Sequence, residues 1–99
     1  MDLEVEIVAP LDHPSYAGHF PGHPVVPGVV LLDLIVDAVA RGAPRRVGHV
    51  KFHRVVEPGA AFTLRYRIEG PSLTFRCQDG ERLLVEGSLS FDSASGAVA

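Results

Sequence analysis

The chain has 99 residues, with 9 Lys and Arg against 12 Asp and Glu for a net charge of −3, and an apolar share of 46%. That length makes one small domain, which buries a modest part of its surface and gains from oligomerisation. The composition is that of an ordinary globular chain and excludes a disordered or nucleic-acid-binding one.

The single cysteine, Cys77, has no partner for an internal disulfide, and the opening residues lack the charged start, apolar core and cleavage site of a secretion signal. The longest apolar run, residues 25–32, falls short of the roughly 20 residues that a membrane helix needs. A cytoplasmic protein with no membrane span is therefore expected.

In chain order, Leu3, Val5 and Ile7 alternate with Asp2, Glu4 and Glu6, the period of two that marks a strand with one face buried. Residues 10–17 hold two prolines, Asp12 and Ser15 without a regular period, and are expected as loop, with Tyr16 and Phe20 as candidate pocket walls. The loop continues as Gly18-His19-Phe20-Pro21-Gly22-His23-Pro24-Val25-Val26-Pro27-Gly28-Val29. Pro21, Pro24 and Pro27 fix φ and bar each preceding residue from the α region, so the loop is held extended and a helix begins only after Pro27. Gly28 in the first turn admits close approach of another group. A free N–H there, at the positive end of the helix dipole, suits an oxygen gaining negative charge.

From residue 28 to about 41, apolar residues fill nearly every position except 33, 37 and 41, a pattern expected of a helix in the middle of a fold with the rest wrapped round it. Gly42 and Pro44 are expected to end it, with Arg41 in its last turn. Strand and turn follow. Residues 45–56, 60–69, 72–77 and 81–91 are separated by Glu57-Pro58-Gly59, Gly70-Pro71 and Asp79-Gly80, the last a tight-hairpin signal. In the second of these segments Phe62, Leu64, Tyr66 and Ile68 fall on one face against Thr63, Arg65, Arg67 and Glu69. Cys77 takes an inward position beside Leu73 and Phe75 and reads as a buried structural thiol rather than a nucleophile. Residues 1–92 are expected as one domain, and the small, non-periodic tail 93–99 as poorly ordered. Five strands with one apolar helix between the first and second predict an α+β fold, an antiparallel sheet wrapped around a central helix.

His19-Phe20-Pro21-Gly22, a variable residue, Pro24, two residues, Pro27-Gly28-Val29, then an acid fourteen residues after the histidine resemble the signature of the hot-dog-fold 3-hydroxyacyl-acyl-carrier-protein dehydratases of fatty acid synthesis (FabA/FabZ-like). Val50-Lys51-Phe52-His53-Arg54-Val55-Val56-Glu57-Pro58-Gly59 is similar to that family's second block, and the two blocks together cover most of residues 17–91. The shortness of the chain also resembles the compact, ApeI-like dehydratase domains of specialised lipid or polyene pathways. The resemblance implies the hot-dog fold and a homodimer in which the histidine of one chain meets the acid of the other, so that a lone subunit has no complete site. It implies no bound cofactor, and a substrate carried on the phosphopantetheine of an acyl carrier protein. A hetero-oligomer with a related subunit is the alternative assembly.

Removing water from a 3-hydroxyacyl thioester requires a base for the C2 proton, stabilisation of charge on the thioester oxygen and an acid for the departing hydroxyl. His19, which titrates near neutral pH, is the candidate base. The Gly28 N–H is the candidate donor to the oxygen, with Phe20, Pro27 and Val29 as substrate-binding neighbours. Asp33 is the candidate acid; a carboxyl pKa of about 4 must be raised for that task, and burial between Leu32 and Leu34 is expected to raise it. The resemblance implies the same role, the acid being Glu in one branch of the family and Asp in another. Where the family has glutamine four residues later, this chain has Asp37, a candidate modulator: carboxylates one turn apart repel, which raises the pKa of one or marks a rebuilt polar network. Read without the motif, Asp33, Asp37 and Arg41 are one solvated stripe with an Asp37–Arg41 pair.

His23 reads as a loop residue. His13, His49 and His53 make no ligand set, since a strand puts His49 and His53 about 13 Å apart, and no metal is expected. Arg41, Arg45, Arg46, Lys51, Arg54, Arg65 and Arg67 gather positive charge in mid-chain. They form a solvated face or, through Arg45, Arg46, Lys51 and Arg54, a dock for an acidic acyl carrier protein. Two other functions stay open: thioester hydrolysis on the same fold, with Asp33 or Asp37 activating water, and a non-catalytic partner subunit that holds acyl carrier proteins.

Overall fold

The computed structural model describes residues 2–16, 25–42 and 44–91. Their alternating segments form five strands: β1 (Asp2–Val8), β2 (Arg46–Phe52), β3 (Ala61–Glu69), β4 (Ser72–Asp79) and β5 (Arg82–Ser90), all antiparallel in one sheet of order β1-β3-β4-β5-β2. Period two governs which side chains go inward. In β4 the buried residues are Leu73, Phe75 and Cys77, while Ser72, Thr74 and Arg76 are exposed; in β3, Phe62 and Leu64 are buried while Arg65, Arg67 and Glu69 face water. The dry and wet faces anticipated for these strands are present.

Both hairpins are two-residue turns. Glu69 pairs with Ser72 and Asp79 with Arg82, leaving Gly70-Pro71 and Gly80-Glu81 as the connections. Asp79 thus ends its strand instead of occupying the turn. Gly70 and Gly80 both have φ of 61°, the positive value that a II′-type hairpin needs at its first turn position.

The helix α1 spans Gly28–Val39 with Pro27 as its N-cap, as the prolines predict; it stops two residues short of the expected end. Ala40 closes it in the left-handed region at φ 55°, its N–H shared between the carbonyls of Val36 (3.3 Å) and Asp37 (3.2 Å). Arg41 lies beyond the last turn. It stands over the Phe91 ring, 5.8 Å from the centroid, and among the described residues it makes no pair with Asp37. Cation–π contact with a buried aromatic residue replaces the expected i,i+4 ion pair.

Val30, Leu31, Ile35 and Val39 form the buried stripe of α1 and pack with Leu64, Leu73, Phe75, Val85 and Leu89 of the sheet. The opposite stripe is open. Val29 is 66% exposed, and Asp33 and Asp37 one and two turns on are exposed too, so within one protomer the helix is covered on one side only. The sheet wraps the buried stripe of the apolar helix as expected, and within one protomer the stripe at Val29, Asp33 and Asp37 stays open.

Cys77 is buried in the sheet and burial pushes its thiol up to about 12. At pH 8 only about one molecule in 10⁴ then carries the thiolate that reacts with disulfide reagents. Native protein is expected to resist 5,5′-dithiobis(2-nitrobenzoate) and to react stoichiometrically once denaturant is added; fast labelling of the native state counts against the buried position.

β2 ends at Phe52, four residues before the expected limit. A bulge between Val47 and Val50 bends it, and beyond Phe52 the N–H groups of His53 (2.7 Å) and Arg54 (3.2 Å) converge on one acceptor, the Leu84 carbonyl, so the ladder cannot continue. The chain then passes under the start of α1. There the Val26 N–H donates to the Val56 carbonyl at 2.7 Å, which ties the segment leading into the helix to the segment leaving β2.

Candidate active site

Pro27 offers no side-chain cap to the first turn of α1; its backbone is extended (φ −63°, ψ 151°), and its carbonyl accepts from the N–H groups of Val30 and Leu31. Among the described residues the Gly28 N–H has no hydrogen-bond partner. It carries the positive end of the helix dipole at the edge of a cleft of about 470 Å³. The cleft floor is apolar, built from Val26, Leu31, Phe52 and Val56 with Pro27 and Gly28 at the helix end, while His53 and Arg54 stand at its rim.

Gly28 is glycine because Phe52 lies on it. A Cβ at this position would stand 2.9 Å from Phe52 Cζ and 3.2 and 3.3 Å from the two Cε atoms. The ring is 49% exposed and is the far end of a rotatable side chain, so it can give way where backbone could not. Gly28→Ala is therefore expected to leave the melting temperature within a few degrees, the better helix propensity of Ala offsetting the crowding, and to push the Phe52 ring off the start of α1. A thermal melt beside a crystal structure of the variant checks both halves.

Of the residues anticipated from sequence, Pro27 and Gly28 line the cleft. Val29 does not: it points to the open side of α1, because consecutive helical positions differ by about 100°. His19, Phe20 and His23 lie outside the described residues. Asp33 is on the exposed stripe and not among the cleft residues, so it is not buried within a single protomer; Asp37 lies one turn further along the same stripe. Tyr16 is a core residue and not a pocket wall. Its hydroxyl donates to the Pro10 carbonyl at 2.8 Å, and burial first, with Asp12 second, pushes its phenol up.

The four cations expected to form one dock are divided. Lys51 stands on the face of the sheet turned away from α1, Arg54 at the cleft on the other face, and Arg45 and Arg46 at the start of β2, because alternate positions of a strand point to opposite sides. Phe52 was legible in principle, as the neighbour of Lys51 in the second motif block, but its contact is with a residue 24 positions earlier and no local pattern announces that. Among the described residues no group of three or more His, Cys, Asp or Glu side chains is placed to hold a metal ion, and no helix is long and apolar enough to cross a membrane.

One helix seated on a five-stranded antiparallel sheet, with an uncapped helix N-terminus opening on an apolar cleft, defines a hot-dog domain. Residues 1–88 match the ApeI-like family, described as ApeI dehydratase, and the chain belongs to that family. It is 36% identical to the 3-hydroxyacyl-acyl-carrier-protein dehydratase FabZ of Thermus thermophilus over an alignment of 92 positions, covering 77% of this chain and 62% of that protein. The FabZ of Wolbachia pipientis wMel is 32% identical, with 80% and 67% covered. The chain thus spans a little under two thirds of the length of the Thermus relative. Among solved structures, the dehydratase heterocomplex ApeI:P from Xenorhabdus doucetiae superposes with a TM-score of 0.75 at 23% identity, covering 90% of this chain and 85% of that one, which shows the shared hot-dog fold.

Proposed function

We propose that this chain removes water from 3-hydroxyacyl thioesters carried on the phosphopantetheine of an acyl carrier protein, giving 2-enoyl thioesters for fatty acid, polyene or specialised lipid synthesis. The observation that carries the reading is the Gly28 amide, unpartnered among the described residues, at the edge of an apolar cleft into which both motif blocks contribute. In the reaction His19 takes a proton from C2, and the Gly28 N–H holds the thioester oxygen as charge builds on it. Asp33 gives a proton to the C3 hydroxyl, the C3–O bond breaks, and water leaves. No cofactor is required for these steps, and the family relatives named as acyl-carrier-protein dehydratases support the choice of substrate.

Asp33 lies on the open stripe of α1 beside Val29, where a second protomer or a related subunit covers it and brings His19 to it. Removing water from round the carboxyl favours its neutral, proton-donating form. The reduced, buried Cys77 fits the cytoplasm.

Incubation with a carrier-linked 3-hydroxyacyl thioester, followed by mass spectrometry of the acyl group, is expected to show loss of one water with the thioester intact. Release of free acid and thiol would instead assign the cleft to hydrolysis.

A further inference from the structure

The cleft at the start of α1 has a charged end and a greasy one. His53 and Arg54 stand at its rim, the Gly28 N–H lies at its edge, and the floor beyond is Val26, Leu31, Phe52 and Val56. None of these four side chains carries a hydrogen-bonding group, so nothing on the floor replaces the hydrogen bonds that a polar group would give up on entering. Three of the four set its width. The Val26 amide, bonded to the Val56 carbonyl at 2.7 Å, fixes two walls, and the half-exposed Phe52 ring is the third, able to turn outward. Leu31 differs from them. It is 3% exposed and belongs to the buried stripe of α1, where it packs into the main core. One turn further along that stripe, Ile35 is fully buried and does not line the cleft, so on the helix side the cleft ends at Leu31.

Resting on the dehydratase reading above, we propose that Leu31 is the stop that limits the substrate to short hydrocarbon acyl chains. With the thioester oxygen on the Gly28 N–H and the pantetheine arm toward the rim, the acyl chain has one direction left, inward along α1. Gly28 and Leu31 stand at i and i+3 of the helix, a rise of about 4.5 Å. An extended chain advances about 1.2 Å per bond, a third of the span of an extended residue, so about four carbons fill that distance. A longer chain meets the Leu31 side chain, which is held in a close-packed core and has no empty space to swing into. Leu31→Ala removes Cγ and both Cδ atoms at the end of the cleft and uncovers Ile35 behind them. An apolar void of that kind stays dry and takes up hydrocarbon.

Isothermal titration with saturated acyl analogues of pantetheine, from butanoyl to decanoyl, in which an amide replaces the thioester, reads the length of the cleft without any chemistry. Wild type is expected to bind the decanoyl analogue about tenfold or more weakly than the hexanoyl one. Leu31→Ala is expected to bind the decanoyl analogue about tenfold or more tightly than wild type does, and the milder Leu31→Val to show a smaller gain of the same sign. Leu73→Ala truncates an equally buried leucine of β4 that lines no part of the cleft. It is expected to melt lower yet keep the wild-type profile, which separates a deeper cleft from a looser fold. Affinity that keeps rising to decanoyl in wild type overturns the proposal, as does an unchanged profile in both Leu31 variants, an equal shift in Leu73→Ala, or no binding of any analogue. A protein with the expected profile that leaves 3-hydroxyacyl thioesters untouched supports the stop and refutes the dehydratase reading; one that dehydrates every chain length alike, whatever stands at position 31, does the reverse.

Discussion

A mixed dimer of His19→Ala and Asp33→Asn protomers, isolated through two different affinity tags, is expected to recover about half of wild-type turnover although each variant alone is inactive. Loss of the base or of the acid alone is worth about 10² to 10⁴ in rate. In the mixed dimer one of the two shared sites combines both lesions, while the other joins the intact histidine of one chain to the intact aspartate of its partner. The exposed position of Asp33, on the side of α1 that the protomer's own sheet does not cover, motivates the experiment. Recovery by a single polypeptide site is impossible under this scheme. A mixed dimer as dead as its parents, with folding and dimerisation intact, would place both groups of each site in one protomer.

Phe75→Ala is expected to lower the unfolding free energy by about 3–5 kcal/mol, among the largest effects available to a single substitution here. Phe75 is 1% exposed in β4, the middle strand, among the residues that pack with Ile35 of α1. Removing the ring leaves a cavity that strands paired on both sides cannot close. For a domain of this size that loss amounts to a melting temperature lower by roughly 12 °C at least. A chemical denaturation series measures it, and a change below about 1 kcal/mol would mean that the helix does not rest on this strand.

The parts of the fold that were legible in the sequence are those set by neighbours along the chain. β1, β3 and β4 announce themselves by alternation, and the helix begins at Gly28 because Pro27 can neither continue a helix backwards nor donate. What misled was decided at long range. Residues 53–56 have strand-like composition, yet the Leu84 carbonyl takes two of their amides and ends β2 early. Ala40 adopts the left-handed region that glycine prefers, so the end of α1 carries no local mark. Leu32 and Leu34 suggest burial of Asp33, but those neighbours point to other sides of the helix, and the carboxyl is exposed in the protomer. The cleft was half legible: Pro27 and Gly28 follow from the motif, whereas Phe52 enters only through tertiary packing.

The bond from the Val26 amide to the Val56 carbonyl has a consequence for how the molecule can be rebuilt. This clasp, with the Phe52 ring seated on Gly28, holds the two sides of the cleft together directly, so the cleft keeps its width through contacts made at its own walls. Residues added at the Gly70-Pro71 hairpin, which does not line the cleft, leave both contacts in place and cost little beyond the slowly growing entropy of a longer loop.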